Sequence, residues 1–431
     1  MPHKHTNLFG QVANFRALCD AAQRAVRGKR SKPGAAAFMA KLETECLRLE
    51  RELVSGTYRT GRYVEIRVRD PKPRTVSAAP FRDRVVHHAL FAVINPLFER
   101  GFIDDSFANR VGKGTHAAVA RYEHFRNRHT HVLRADIYRF FPSIDHAVLK
   151  SDLRRRIACP QTLGLCDTII DGSNLQEPVN LYFDGDDLFT PFAKRRGLPL
   201  GNLTSQFFAN VYLDALDHYA KEVLRAPYVR YVDDFALFAN DPHQLVQWRA
   251  AIDQFLQKRR LRLHPAKTYV VPTLQPALFL GFELHPQGLR RLDPANVTRF
   301  RARLRQLRAH WQSGAVSGQG VRQRVHAWQA HAAHAHTAAL QHTLFKGGWF
   351  DPLCSDGLPI EDLAPLQRSV SCAAAPGTTT QRTCALPTAT GTPRTTVTPT
   401  RVSVSPAQPE PNFAAPRRNK SRKGFVQGVA R

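Results

Sequence analysis

The chain has 431 residues and 43% hydrophobic content, enough to bury a sizeable core in more than one domain. Its formal net charge of +27 points to a polyanionic partner, nucleic acid first and an anionic membrane surface second. No apolar run reaches the ~18 residues of a membrane span; Arg16 and Asp20 interrupt the region where a secretory signal would be apolar; and seven cysteines without a Cys-x-x-Cys pair argue against a zinc ribbon or disulfide framework and fit a reducing cytoplasm.

Residues 7–55 read as two helices. Leu8, Val12, Phe15, Leu18 and Ala22 recur at helical spacing, and Leu42, Leu49 and Leu53 mark a second amphipathic run. Arg24, Arg27, Lys29, Arg30 and Lys32 lie between them, with Pro33-Gly34 as a break. Residues 63–69 alternate as a strand with one wet face, 70–74 form a turn, and 75–79 return. A helix over 81–98 follows. Gly112 and Gly114 flank Lys113 ahead of a helix over 115–125, where glycine would permit close backbone approach to a phosphate. An apolar strand over 131–137 contains Asp136, and Ser143 is placed to cap a helix over 144–157. Asp184, Asp186 and Asp187 lack the ligand spacing of a calcium loop and read as a hairpin tip. A Gly-rich loop, 197–206, leads to a helix over 207–224 capped by Thr204 or Ser205. Helices are also expected over 245–258, 293–312 and 321–344. The second of these carries Arg299, Arg301, Arg303, Arg305 and Arg308, and the third carries His331, His334, His336 and His342 without the interleaved acids or cysteines of a zinc site. From about residue 370 the composition turns to Thr, Pro, Ala, Ser and Arg, which cannot bury enough surface to order itself, and 417–423 form a basic tail.

The chemistry concentrates at Tyr231-Val232-Asp233-Asp234. Two apolar runs flank the aspartates, which reads as strand, tight turn and returning strand. Asp tolerates turn angles, so the pair could simply make the turn. Two buried carboxylates side by side repel, however, and such a pair persists where one is protonated or a cation lies between them. Magnesium wants carboxylate oxygens and substrate phosphates. With Asp136 on an adjacent strand, the set suits two metal ions aligning a primer 3′ hydroxyl with a nucleotide triphosphate.

On these residues the chain resembles the bacterial reverse transcriptases. Ala135-Asp136 looks like their first palm motif and Tyr231-Val232-Asp233-Asp234 like their catalytic box; the resemblance covers residues 7–350. It implies an α+β right-hand polymerase. Fingers with N-terminal helices would occupy 1–130, and a palm (an antiparallel sheet with helices on one face) 131–290, with a fingers excursion at 160–196. A helical thumb would occupy 291–365 and a disordered basic tail 366–431. It implies an RNA-directed DNA polymerase, a nucleotidyltransferase, with two magnesium ions held at Asp136, Ile137, Asp233 and Asp234. Lys267 would act on the leaving pyrophosphate. Lys72, Arg74, Arg82 and Arg84 would clamp the triphosphate, and Phe141 would lie under the sugar and reject a 2′ hydroxyl. Leu280 and Gly281 would form the primer grip, and Gly112, Lys113 and Gly114 would meet the template.

Where wider relatives carry Pro-Gln-Gly and then Ser-Pro, this chain has Pro199-Leu200-Gly201 and Ser205-Gln206. That is similar to the diversity-generating retroelement branch, whose enzymes copy RNA with errors opposite adenine. Leu200, Gly201 and Gln206 would face the nucleotide. The implied partners are an RNA template, a DNA or RNA primer, deoxynucleotide triphosphates and a small basic helical accessory protein, in the cytoplasm and off the membrane. The rivals are a group II intron-like maturase, a defence-associated reverse transcriptase, and a non-catalytic RNA-binding protein on a retained scaffold.

Overall fold

The computed structural model describes residues 4–68, 73–174 and 179–345; the expected tail lies outside them. Within them helices alternate with small antiparallel sheets. Strands β1 (Val64–Val68) and β2 (Arg74–Ala78) form a hairpin, paired from Val64 with Ala78 to Val68 with Arg74. The central sheet comprises β3 (His131–Asp136), β4 (Tyr228–Tyr231), β5 (Asp234–Ala239) and β6 (Tyr269–Pro272), in the order β4-β5-β3-β6. A third sheet joins β7 (Ala277–Phe279), β8 (Phe282–Leu284) and β9 (Arg290–Leu292) in sequence order.

The central sheet is covered on both faces, not one as expected. Phe235, Leu237 and Ala239 of β5 join a core with Leu133 and Ala135 and with the helices Phe81–Glu99 and Leu203–His218. Ala236 and Phe238 point the other way, into a core with Val119, Tyr122 and Phe125 of the helix Thr115–Arg126 and with Phe279 and Phe282. The reason is visible in β5 itself: after Asp234 it reads Phe-Ala-Leu-Phe-Ala, with no polar residue at alternate positions to face water.

Several helices depart from expectation at their ends. Region 7–55 holds Phe9–Val12, Phe15–Ala25, Pro33–Ala40 and Leu42–Val54, not two helices. Pro33 starts a helix instead of breaking one, because its missing N–H costs nothing in a first turn. The helix after Asp136 is His146–Arg154. Asp145 caps it by accepting from the Ala147 and Val148 amides, while Ser143 ends the short helix Phe140–Ser143. The last expected helix is two, Gly318–Ala332 and Ala338–Phe345. Thr337 divides them: its hydroxyl donates to the Ala332 carbonyl and accepts from Gln341. Asp186 is no free hairpin tip either, since both its oxygens bind the Arg260 guanidinium. Among the described residues no helix is long and apolar enough to cross a membrane.

Candidate active site

The register of the central sheet sets the site. Asp136 at the end of β3 stands directly opposite Asp234 at the start of β5, which brings their Cβ atoms to about 5 Å. Tyr231 pairs with Asp234, leaving Val232 and Asp233 as a two-residue turn. The left-handed angles fall on Val232, at φ +57°, and not on an aspartate. A β-branched residue there is a true outlier, the kind of strain that persists where surroundings over-determine it. The Ile137 amide donates to the Asp233 carbonyl at 3.2 Å, tying the turn to the strand beyond Asp136.

Two of the three carboxylates at this sheet end, Asp233 and Asp234, hold a proton more tightly than an ordinary aspartate. Desolvation pushes Asp234 up to about 7; Asp136 and Asp233 add to this and Arg134 opposes it. Asp233 is raised by desolvation and then by Asp136, with Lys267 and Arg74 pulling the other way. Lys267 Nζ lies 2.7 Å from Asp136 Oδ2, and Arg134 Nη2 lies 3.8 Å from Asp234 Oδ2. The segment leading to Lys267 is pinned by the His264 amide on the Asp136 carbonyl at 2.7 Å and by the Tyr138 amide on the Arg262 carbonyl at 2.9 Å.

Among the described residues no three His, Cys, Asp or Glu side chains form a ready chelate for one ion. The donor chemistry nevertheless suits magnesium, which takes one or two carboxylates and completes its shell with water and substrate phosphate. Burial first, and the neighbouring carboxylates second, raise the Asp233 and Asp234 carboxyls, and a bound cation would offset both. Ile137 offers only its carbonyl, since its buried side chain has no donor atom.

The loop at 199–202 docks on the β1–β2 hairpin. The Ser77 amide donates to the Leu200 carbonyl at 3.0 Å. Gly201 sits at φ +103°, where an added Cβ would lie 2.6 Å from Val76 Cγ1, so both conformation and space require glycine. Asn202 staples the junction: its Oδ1 accepts from the Ala79 amide at 3.2 Å, and its Nδ2 donates to the Ser77 carbonyl at 2.7 Å. Its position is the helix N-cap, but its side chain is spent on the hairpin. Thr204 and Ser205 are buried inside the first turn and do not cap as expected; Gln206 beside them is half-buried. Phe141 is half-buried edge-on to Phe140, with the Leu198 amide on its carbonyl at 3.0 Å.

The remaining expected residues divide. Arg74 is exposed on β2 and acts on Asp233 through its charge. Arg82 turns away, paired with Glu52 and 5.4 Å over the Tyr58 ring, and Arg84 Nε donates to the Ala79 carbonyl at 2.9 Å. Lys72 lies outside the described residues. Lys113 reaches the Asp104 carbonyl at 2.9 Å, while Gly112 and Gly114, both at positive φ, face open space. Leu280 (φ +49°) and Gly281 (φ +86°) form the β7–β8 turn, and the Asp293 amide donates to the Gly281 carbonyl at 3.0 Å. Three participants escaped the sequence reading. Arg134 bridges the Phe279 ring, at 5.9 Å, and Asp234. Thr115 is the second, its hydroxyl donating to that of Tyr231 at 3.1 Å. Asn202 is the third, and its place after Gly201 was the only local signal.

Residues 66–284 match the protein family described as "Reverse transcriptase (RNA-dependent DNA polymerase)". Protein YkfC of Escherichia coli (strain K12) is 26% identical over 192 residues, which are 43% of this chain and 48% of that protein. The chain thus spans about half the length of that curated relative. Among solved structures, telomerase from Candida albicans in complex with a TWJ fragment of telomeric RNA aligns with a TM-score of 0.37 and 13% identity, over 55% of this chain and 46% of that one. Apo telomerase from Candida tropicalis, truncated from its C-terminal domain, gives 0.39 and 13%, over 54% and 55%. Likenesses at this level say nothing of substrate.

Proposed function

Because the chain belongs to the reverse transcriptase (RNA-dependent DNA polymerase) family, we propose that it is a nucleotidyltransferase that extends a DNA or RNA primer along an RNA template with deoxynucleotide triphosphates. The observation that carries this is the pairing of Asp136 with Asp234 across two strands, with Asp233 in the adjoining turn. Asp136, Asp233, Asp234 and the Ile137 carbonyl would hold two magnesium ions. When bound, these lower the pKa of the primer hydroxyl and neutralise charge on the leaving pyrophosphate. In this reading the β1–β2 hairpin and the helices before it are fingers, the central sheet is the palm, and the helices from residue 291 onward are the thumb.

The chain's own groups supply the rest. Arg74 presents a planar fork to triphosphate oxygens. Lys267 leaves Asp136 when that carboxylate is taken up elsewhere, and its Nζ then holds the proton for the departing pyrophosphate. Phe141 fills the space under the sugar. Leu280 and Gly281 steady the primer end, and Gly112, Lys113 and Gly114 border the template.

The finer reading is the error-prone enzyme of a diversity-generating retroelement, working with a small basic helical accessory protein. Leu200 supports it, because it cannot hydrogen-bond a sugar or base edge as glutamine would. A lost hydrogen bond of about 0.5–1.5 kcal/mol is roughly a two- to tenfold loss of selectivity. Sequencing cDNA copied from a defined RNA tests it. We expect misincorporation concentrated opposite adenine and reduced by Leu200→Gln. Errors spread over all four template bases would remove the branch and leave the general polymerase.

A further inference from the structure

Beneath the catalytic turn lies a buried ion pair that the proposed chemistry does not use. Arg230 on β4 and Asp217 on the helix Leu203–His218 are both fully buried. A guanidinium has five N–H bonds, and here each finds an acceptor. Nε donates to Asp217 Oδ1 at 2.7 Å. Nη2 donates to Asp217 Oδ2 at 2.6 Å and to Ser106 Oγ at 2.9 Å. Nη1 donates to Asn210 Oδ1 at 3.3 Å and to the Val232 carbonyl at 2.9 Å. The Tyr228 hydroxyl donates to Asp217 Oδ1 at 2.8 Å.

Such a pair is weak evidence for stability, since well-packed apolar residues of similar volume often do as well. What an apolar pair could not supply is the bond to Val232. That residue holds the left-handed turn at φ +57°, which a β-branched side chain disfavours. Fixing its carbonyl fixes the peptide plane between Val232 and Asp233, and with it the direction of the Asp233 carboxylate. The other arms choose where that plane sits. Ser106 belongs to the segment that brackets Arg230, with the Arg230 amide on the Asp105 carbonyl and the Phe107 amide on the Arg230 carbonyl. That segment leads to Gly112 and Gly114. Asn210 and Asp217 stand on the helix that follows the 199–202 loop, and Asn210 Nδ2 also donates to the Ala108 carbonyl at 2.9 Å.

We propose that Arg230 is a positioning residue of the polymerase site: its Asp217-anchored guanidinium holds the strained Val232 turn so that Asp233 and Asp234 stand ready, and it references that turn to the two loops that border template and nucleotide. The inference rests on the polymerase reading. If the native chain extends no primer on RNA, that reading fails; if it does and the variants below match it, only this inference fails.

The test is single-nucleotide primer extension with Arg230→Lys, which keeps the charge beside Asp217 but loses the fork, alone and combined with Val232→Gly. Folding is followed by thermal melting and RNA affinity. The folded Lys variant should bind RNA as the native chain does and keep its KM for nucleotide. Its kcat should fall by up to about 100-fold, the scale of a misplacement of about 1 Å. Glycine accepts the left-handed turn freely. Val232→Gly should therefore raise kcat by about tenfold in the Lys background and by less in the otherwise native chain, a coupling that a merely structural role does not produce. Should Arg230→Lys not fold, Ser106→Ala with Asn210→Ala leaves the ion pair and removes two acceptors that aim the guanidinium; the same kcat loss and glycine rescue are then expected. Unchanged kcat, or a loss that Val232→Gly does not relieve, would overturn the assignment.

Discussion

Asp234 meets water with its carboxyl pushed up to about 7, so the folded chain takes up a proton there that the unfolded chain, near 3.8, does not. A carboxyl raised on folding costs stability as pH rises through the interval between the two values. Without magnesium, Asp234→Asn should therefore melt higher than the native chain, with the difference growing from about pH 4 to pH 7, while primer extension is lost. Magnesium should narrow the gap by stabilising the native chain alone. Equal melting of the two at all pH values would remove the strained-carboxyl account. Phe141 gives a second residue-scale test: Phe141→Ala should raise kcat/KM for ribonucleotides relative to deoxynucleotides, and an unchanged ratio would return the ring to the core. That Asp136, Asp233 and Asp234 stand at strand ends was legible in the sequence because each borders an apolar run, which is a local signal. The Lys267–Asp136 contact joins residues 131 positions apart and had none.

The elements were legible where a period repeats. The alternation over 63–69 and 75–79 gave the β1–β2 hairpin, and the apolar run over 131–137 gave β3 to within one residue. Junctions between elements were not. Nothing near Asn202 shows that its side chain crosses 123 positions to Ala79, so sequence alone places the helix start inward, at 207 with Thr204 or Ser205 as cap, where the structure starts it at Leu203. The left-handed angles of the turn after β4 are likewise expected on aspartate by residue preference, whereas the backbone puts them on Val232. The loop-to-hairpin junction carries its own prediction. Gly201→Ala adds a Cβ into Val76 at a positive φ, so it should destabilise the junction by about 1–3 kcal/mol. It should also raise KM for nucleotide with a smaller effect on kcat. Thermal melting and steady-state kinetics check it, and an unchanged KM would separate this loop from nucleotide binding.

For the molecule as a whole, mixed helices and sheets and a +27 charge fit a body that grips a polyanion through many weak contacts. The logarithm of RNA affinity should fall linearly with the logarithm of salt concentration, with a slope of about −0.7 per phosphate contacted on a single strand. A salt-independent affinity would mean that charge is not the grip. Chemistry and grip should also separate if, as proposed, affinity comes from the basic surface and turnover from the three carboxylates at one sheet end. The most direct measurement is extension of a primer annealed to RNA, with magnesium and deoxynucleotide triphosphates, by the native chain and by Asp233→Asn, alongside RNA binding by both. The native chain should extend the primer, and Asp233→Asn should bind RNA with the same affinity and salt slope yet extend nothing; equal extension by the two would contradict the assignment of this site as a metal-dependent polymerase.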